Sequence, residues 1–158
     1  MDEERHYAGF WIRLVARFID LVLILAAFQL FILLDRMGAE AGLWAPTGLP
    51  DGIGIERVSP DDAVRVVFFL CFPVFYYVFL HGAYGQTFGK MAVRIRVLSE
   101  DGSRIGYRRA FLRWLGYLLC DLTLDIGYLW AAFDPRKQGL HDKVCRTIVV
   151  HEEAGTGA

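Results

Sequence analysis

Three charged residues, Arg13, Arg17 and Asp20, stand at the head of the apolar run RLVARFIDLVLILAAFQLFILL. At about 100° per residue they fall within an arc of roughly 60° on an ideal helix, one charged face on an otherwise apolar rod. A charge in hydrocarbon costs a few kcal/mol or more, so such groups face protein, water or one another. The arginines have a simpler alternative, since their long stems let the heads snorkel to the headgroups. Asp20 is too short for that and calls for a partner, which would be a neighbouring helix, another subunit or a cation.

Asp121 and Asp125 pose the same question in the run FLRWLGYLLCDLTLDIGYLWAAF, from Phe111 to Phe133. Four residues apart, they put two carboxylates on one helical face, so that one keeps its proton or a cation or arginine sits between them. Arg109 and Arg113, also four apart, offer that compensation if the segment folds back. A buried Arg–Asp network and a cation or proton site are the two chemistries this spacing allows. Lys90, Arg104 and Arg108, with Arg109 and Arg113, make a basic region beside the apolar runs. Lipid headgroups would attract it by roughly 1 kcal/mol per charge.

Other chemistries find little support. GAYGQTFGK resembles a phosphate-binding loop but has Tyr84 where a glycine is needed and Met91 where Ser or Thr should follow Lys90. Its glycines are expected instead to permit a tight chain reversal, with Lys90 among the headgroups. Cys71, Cys120 and Cys145 are too dispersed for a disulfide framework, and His141 with Cys145 is too few ligands for a metal site. No nucleophile elbow, zinc-protease helix or dinucleotide fingerprint occurs, so neither an enzyme nor a cofactor is expected. A formal net charge of −1 argues against nucleic acid.

The elements that position these residues are those of a membrane protein. Of the 158 residues, 55% are apolar and 15% aromatic, and the mean hydropathy is +0.35. Residues 14–34 and 63–80 are each about long enough for one crossing. The acidic Asp2, Glu3 and Glu4 before the first, and Asp35-Arg36 after it, argue against a cleaved signal peptide. The 35–62 stretch is rich in Gly and Pro and reads as a loop, with Ser59 before Pro60, Asp61 and Asp62 as a helix start. The tryptophans and tyrosines, Tyr76, Tyr77 and Tyr117 among them, are expected in the interfacial belts.

Alternation from Val93 to Val97, followed by Asp101-Gly102, predicts a β-hairpin within 91–106, and the β-branched run CRTIVVHE at 145–152 predicts a strand that pairs with it. The 35–62 loop holds two arginines against six carboxylates, whereas both flanks of 111–133 are basic. The positive-inside tendency then puts the loop outside and both flanks, with the N- and C-termini, in the cytoplasm. On that count 111–133 is a re-entrant or interfacial helical pair, with a third crossing as the alternative.

Three ordered stretches carry a family resemblance: YAGFWIRLVARFID, then GQTFGKMAVRIRVLSEDGSRI followed by RRAFLRWL, then GLHDKVCRTIVV. Together they resemble the RDD family of mainly bacterial membrane proteins, named for one arginine and two aspartates. The resemblance places these at Arg13, Asp20 and Asp142. Members are described as involved in transport, some as sodium/proton antiporters. Asp121 and Asp125 are not part of that signature.

The expectation is therefore a single mainly α integral inner-membrane domain over 1–158. It has two full transmembrane helices, a re-entrant segment and a small cytoplasmic β module. Its function would be exchange of a monovalent cation (Na+, Li+ or K+) for a proton, as a homo-oligomer that hides its charged face from lipid. Asp20 would be the exchanging carboxylate, Arg13 or Arg17 would tune its proton affinity, and Asp142 would anchor the cytoplasmic module or line the inner mouth. The rival is a non-transporting scaffold whose Arg–Asp face locks helices together while its basic module binds a protein or anionic lipid.

Overall fold

The computed structural model describes residues 6–43, 60–122 and 126–152. In chain order the elements are α1 (Phe10–Glu40), α2 (Pro60–Tyr84), α3 (Phe88–Ala92), β1 (Ile95–Ser99), α4 (Tyr107–Leu122), α5 (Ile126–Phe133), α6 (Leu140–Cys145) and β2 (Thr147–His151). They form two compact units, one of Met1–Asp20 with Val74–Ala158 and one of Leu21–Pro73.

α1 runs for 31 residues, starting before and ending after the expected 14–34, because no glycine or proline interrupts it until Gly38. What was expected as the start of the 35–62 loop is helix as far as Glu40. There the Leu43 amide bonds the Gly38 carbonyl at 3.0 Å and Gly42 takes φ +71°. This paired closure satisfies carbonyls that the helix end would otherwise orphan. The rest of that loop, through Ser59, lies outside the described residues. α2 starts at Pro60, a residue without an N–H to waste at a first helical position, and continues through Pro73 to Tyr84. Two helices, Phe10–Glu40 and Val66–Tyr84, are long and apolar enough to cross a membrane.

In the Leu21–Pro73 unit the contact between the helices is aromatic. Phe31 stacks on Phe68 with centroids 4.2 Å apart, and Phe28 meets Phe69 edge-on at 4.6 Å. Leu21, Val22, Leu25, Leu30, Leu33 and Leu34 are exposed. A run of exposed aliphatics along one helix is the reverse of a water-facing surface.

The first unit is built on a two-stranded sheet. β1 pairs antiparallel with β2, from Ile95 opposite His151 to Ser99 opposite Thr147. The expected module therefore exists, but its principal pairing is between distant strands. After the Asp101-Gly102 turn the return chain makes only an isolated bridge, Leu98 with Arg104. Met91 and Ala92, expected in the strand module, belong to α3, and the strand starts after Arg94 at φ +54°. Ile95, Val97 and Val149 pack on Ala8, Ala16, Ile105 and Ala110, tying the sheet to the start of α1. The extended residues before α1 add to β2: the Ala8 amide donates to the Val149 carbonyl and the His151 amide to His6, both at 2.9 Å. The two ends of the described chain thus lie side by side.

Of the 111–133 stretch the structure describes α4, of 16 residues ending at Leu122, and α5, of 8 starting at Ile126, with residues 123–125 outside the described residues. At about 1.5 Å per residue neither reaches the roughly 30 Å of a hydrocarbon core. In α4 the buried positions are Ala110, Arg113, Tyr117 and Cys120, while Phe111, Leu112, Leu115, Leu118 and Leu119 are exposed. The spacing is that of an amphipathic helix with its polar side turned inward.

Candidate functional site

Arg13 and Asp20 are both buried, as one charged face of α1 requires, but they serve different partners. Asp20 is 1% exposed. Its Oδ1 accepts from the Tyr76 hydroxyl at 2.7 Å and the Gly89 amide at 2.7 Å, and its Oδ2 accepts from Thr87 Oγ1 at 2.6 Å. All three donors are neutral, and Arg13 on the same helix is bonded elsewhere. The GQTFGK stretch explains the seat. Thr87 caps α3 by accepting from the Lys90 amide, and its hydroxyl proton remains free for Asp20. Gly89 is needed for close approach: a Cβ there would lie 2.0 Å from the Ala16 carbonyl oxygen and 2.8 Å from Asp20 Cγ. Gly85 makes the expected reversal with φ +70°.

Arg13 instead reaches Asp142. Arg13 Nη1 donates to Asp142 Oδ2 at 2.5 Å, and its Nε donates to the Ala8 carbonyl at 2.9 Å. From α4, Arg113 Nη1 lies 2.5 Å from Asp142 Oδ1. The N–H of that atom is aligned on Thr147 Oγ1, and Arg113 Nη2 donates to the Tyr117 hydroxyl at 3.0 Å. Arg113 thus serves Asp142; the expected compensation of Asp121 and Asp125 by Arg109 and Arg113 falls on the Asp121 side chain and Asp125, which lie outside the described residues. Asp142 stands near the start of α6, where its Oδ2 also accepts from the Gly139 amide at 3.1 Å. It is fully buried between two guanidinium groups that come from α1 and α4.

Burial alone would push the Asp142 carboxyl up, but Arg113, then His141 and Arg13, hold it well below the usual carboxylate range. Its neighbour His141, whose Nε2 is 3.4 Å from Asp142 Oδ1, is pushed down to about 3. Burial is the main cause, and Arg113, Arg13 and Lys90 oppose the help that Asp142 gives the charged ring. His141 is therefore a neutral ring at physiological pH, seated against Gly116 of α4, where a Cβ would come within 2.6 Å of the His141 Cβ.

Lys90 departs most from expectation. Placed among the headgroups by its sequence context, it is 8% exposed. Its Nζ lies 2.6 Å from His81 Nε2 and donates to the Tyr117 hydroxyl at 3.2 Å. Tyr76 and Tyr117, expected in the interfacial belts, are likewise buried and hydrogen-bonded. Arg104 and Arg108 are exposed, as headgroup contacts would need to be. Arg109, also exposed, donates to Ser99 Oγ at the end of β1, and Arg17 is half-buried. Tyr76, Thr87, Gly89, His81 and Tyr117 were missed as site residues. The signal for two of them, Thr87 and Gly89, lay in GAYGQTFGK, where glycine and threonine beside a lysine mark close backbone approach even though the phosphate-loop pattern fails.

The model of the RDD family matches residues 7–146, which takes in Arg13, Asp20, Lys90, Arg113 and Asp142. The uncharacterized protein YxaI of Bacillus subtilis is 30% identical over 148 residues, covering 92% of this chain and 97% of YxaI. The uncharacterized membrane protein YteJ of the same organism is 28% identical over 148 residues, covering 93% of this chain and 82% of YteJ. A proline-rich antigen homolog of Mycobacterium tuberculosis is 29% identical over 82 residues, covering 51% of this chain and 34% of the homolog. No solved structure matches.

Proposed function

The chain belongs to the RDD family, and from that membership and its buried charges we propose that it is a bacterial inner-membrane protein that exchanges a monovalent cation for a proton. α1 and α2 cross the bilayer, and α4 with α5 forms a helical pair at the cytoplasmic face. The pairing of residues 6–8 with β2 supports an even number of crossings, since both ends must then share one side. The basic segments around α4 support a cytoplasmic reading of that side. Apolar side chains exposed along α1 and α4 supply lipid-facing surface and an interface for homo-oligomers.

The observation that carries the exchange reading is the seat of Asp20. It is a buried carboxylate at the head of a spanning helix, and its donors are two hydroxyls and an amide, none of them charged. Among the described residues no fixed cation neutralises it through a direct bond, so a proton or a small monovalent cation can. Asp142, between Arg13 and Arg113, is the opposite case: it anchors α6 and β2 to α1 and α4 and does not exchange.

That same clamp favours a second reading, a non-transporting scaffold in which the Arg–Asp face holds the helices while Arg104 and Arg108 contact anionic lipid or a protein. The two part on Asp20→Asn in liposomes. The exchange reading expects sodium-, lithium- or potassium-driven proton movement with the unsubstituted protein, and its loss in an Asp20→Asn protein that remains folded and assembled. Folded protein giving no pH response above empty liposomes would overturn it. An Asp20→Asn protein that loses assembly would favour the scaffold.

A further inference from the structure

Lys90 has surroundings that neither the Arg–Asp clamp nor the Asp20 seat explains. His81 Nδ1 is 2.8 Å from the Tyr77 carbonyl oxygen. A carbonyl only accepts, so Nδ1 carries the ring proton and Nε2 turns a lone pair to Lys90 Nζ, 2.6 Å away. Protonating Nε2 as well would aim an N–H at the ammonium, so the two side chains together hold one excess proton at most. The groups facing Lys90 are His81 from α2, Tyr117 and Arg113 from α4, and Asp20 from α1, with Tyr77 of α2 against the Tyr117 ring. Behind Tyr117 stands His141 of α6, with ring centroids 4.8 Å apart. Arg13 and Arg113 are both engaged by Asp142. The Lys90 amine is held by a ring nitrogen of His81 and the Tyr117 hydroxyl, with no carboxylate bonded to it among the described residues.

We propose that Lys90, cradled by His81 and Tyr117, is a reversible proton-binding site that charges and discharges while the Arg–Asp clamp stays ionised. On discharge the N–H bond breaks, the electron pair stays on Nζ, and the proton passes to water. The direction is supported by burial, which lowers the affinity of Lys90 for its proton; Tyr117 and Asp20 oppose this and Arg113 adds to it. The inference does not require cation exchange, and a failure of either leaves the other standing.

The chain has three lysines, Lys90, Lys137 and Lys143, so amine signals of the isotope-labelled full-length protein in lipid nanodiscs can be followed individually with pH. Replacing Lys137 and Lys143 by arginine leaves Lys90 as the single lysine signal and keeps both surface charges. The expected midpoint lies clearly below that of Lys137, a weaker hold on the proton. Tyr117→Phe, which removes an acceptor from the ammonium, should lower it further in protein whose thermal transition persists. A Lys90 midpoint coinciding with that of Lys137 would overturn the proposal, as would a midpoint that Tyr117→Phe leaves in place.

Discussion

At the scale of single residues, Asp142 carries the most stabilising contacts of the buried cluster and His141 its clearest pH dependence. Breaking one partner out of a buried ion pair costs about 3–5 kcal/mol, because a charge remains without its counterion. Asp142→Asn should cost an amount in that range, seen as a lower transition in detergent, whereas Arg108→Gln at an exposed site should stay within about 0.5 kcal/mol. Arg113→Lys should also destabilise, since an ammonium cannot serve Asp142, Thr147 and Tyr117 together as the planar fork does. His141, pushed down to about 3, stays neutral in the fold below pH 6.5, where the unfolded chain takes up a proton. Stability is thus present above about pH 6.5 and drains as pH falls toward 3, by at most about 1.4 kcal/mol per pH unit. His141→Gln should flatten that part of a stability–pH profile; an unchanged slope would assign the loss to another group. Asp142, whose carboxyl is held low, adds its own loss only below the ordinary carboxylate range near pH 4.

At the scale of elements, two glycines set how closely helices approach. Gly89 lets α3 lie against the first turns of α1, and Gly116 lets α4 receive His141 of α6. Gly89→Ala drives a methyl into the Ala16 carbonyl oxygen, a backbone atom that cannot rotate away, and should destabilise by about 1–3 kcal/mol while loosening the Asp20 seat. Gly106→Ala, where a Cβ meets nothing within 4 Å, is the matched control and should leave the thermal transition in place. Equal transitions for the two variants would mean that α3 does not press on α1 as closely as its geometry indicates.

At the scale of the whole molecule, the prediction is one of sidedness. Residues 6–8 hydrogen-bond to β2, so reporters fused at the N-terminus and the C-terminus should both be active on the cytoplasmic side of the membrane. Opposite sides would require an odd number of crossings and would separate strands that the fold pairs. The exposed apolar surfaces of α1 and α4 further predict that the protein stays in the membrane fraction through an alkaline carbonate wash, which strips proteins held by surface charge alone. Release by that wash would contradict spanning helices.

The sequence by itself determined what is local or repeats along the chain. Apolar run length marked the two long helices, alternation marked β1, a β-branched run marked β2, and the positions of Arg13 and Asp20 marked one buried face. Three ordered motifs were enough to assign the family. Its reach ended where an outcome depends on residues far apart in the chain. Arg13 and Asp20 share a helical face, but Asp142 stands 129 residues from Arg13 and Thr87 stands 67 from Asp20, and no local period encodes which meets which. Lys90 was misread for the same reason. A lysine beside an apolar run snorkels to headgroups unless a lone pair and a hydroxyl come within reach, and only folding brings His81 and Tyr117 there. Tertiary structure alone decided the pairing of these charges, because buried ionic groups select partners by complementary geometry in three dimensions, while hydrophobic periodicity selects only which face is hidden.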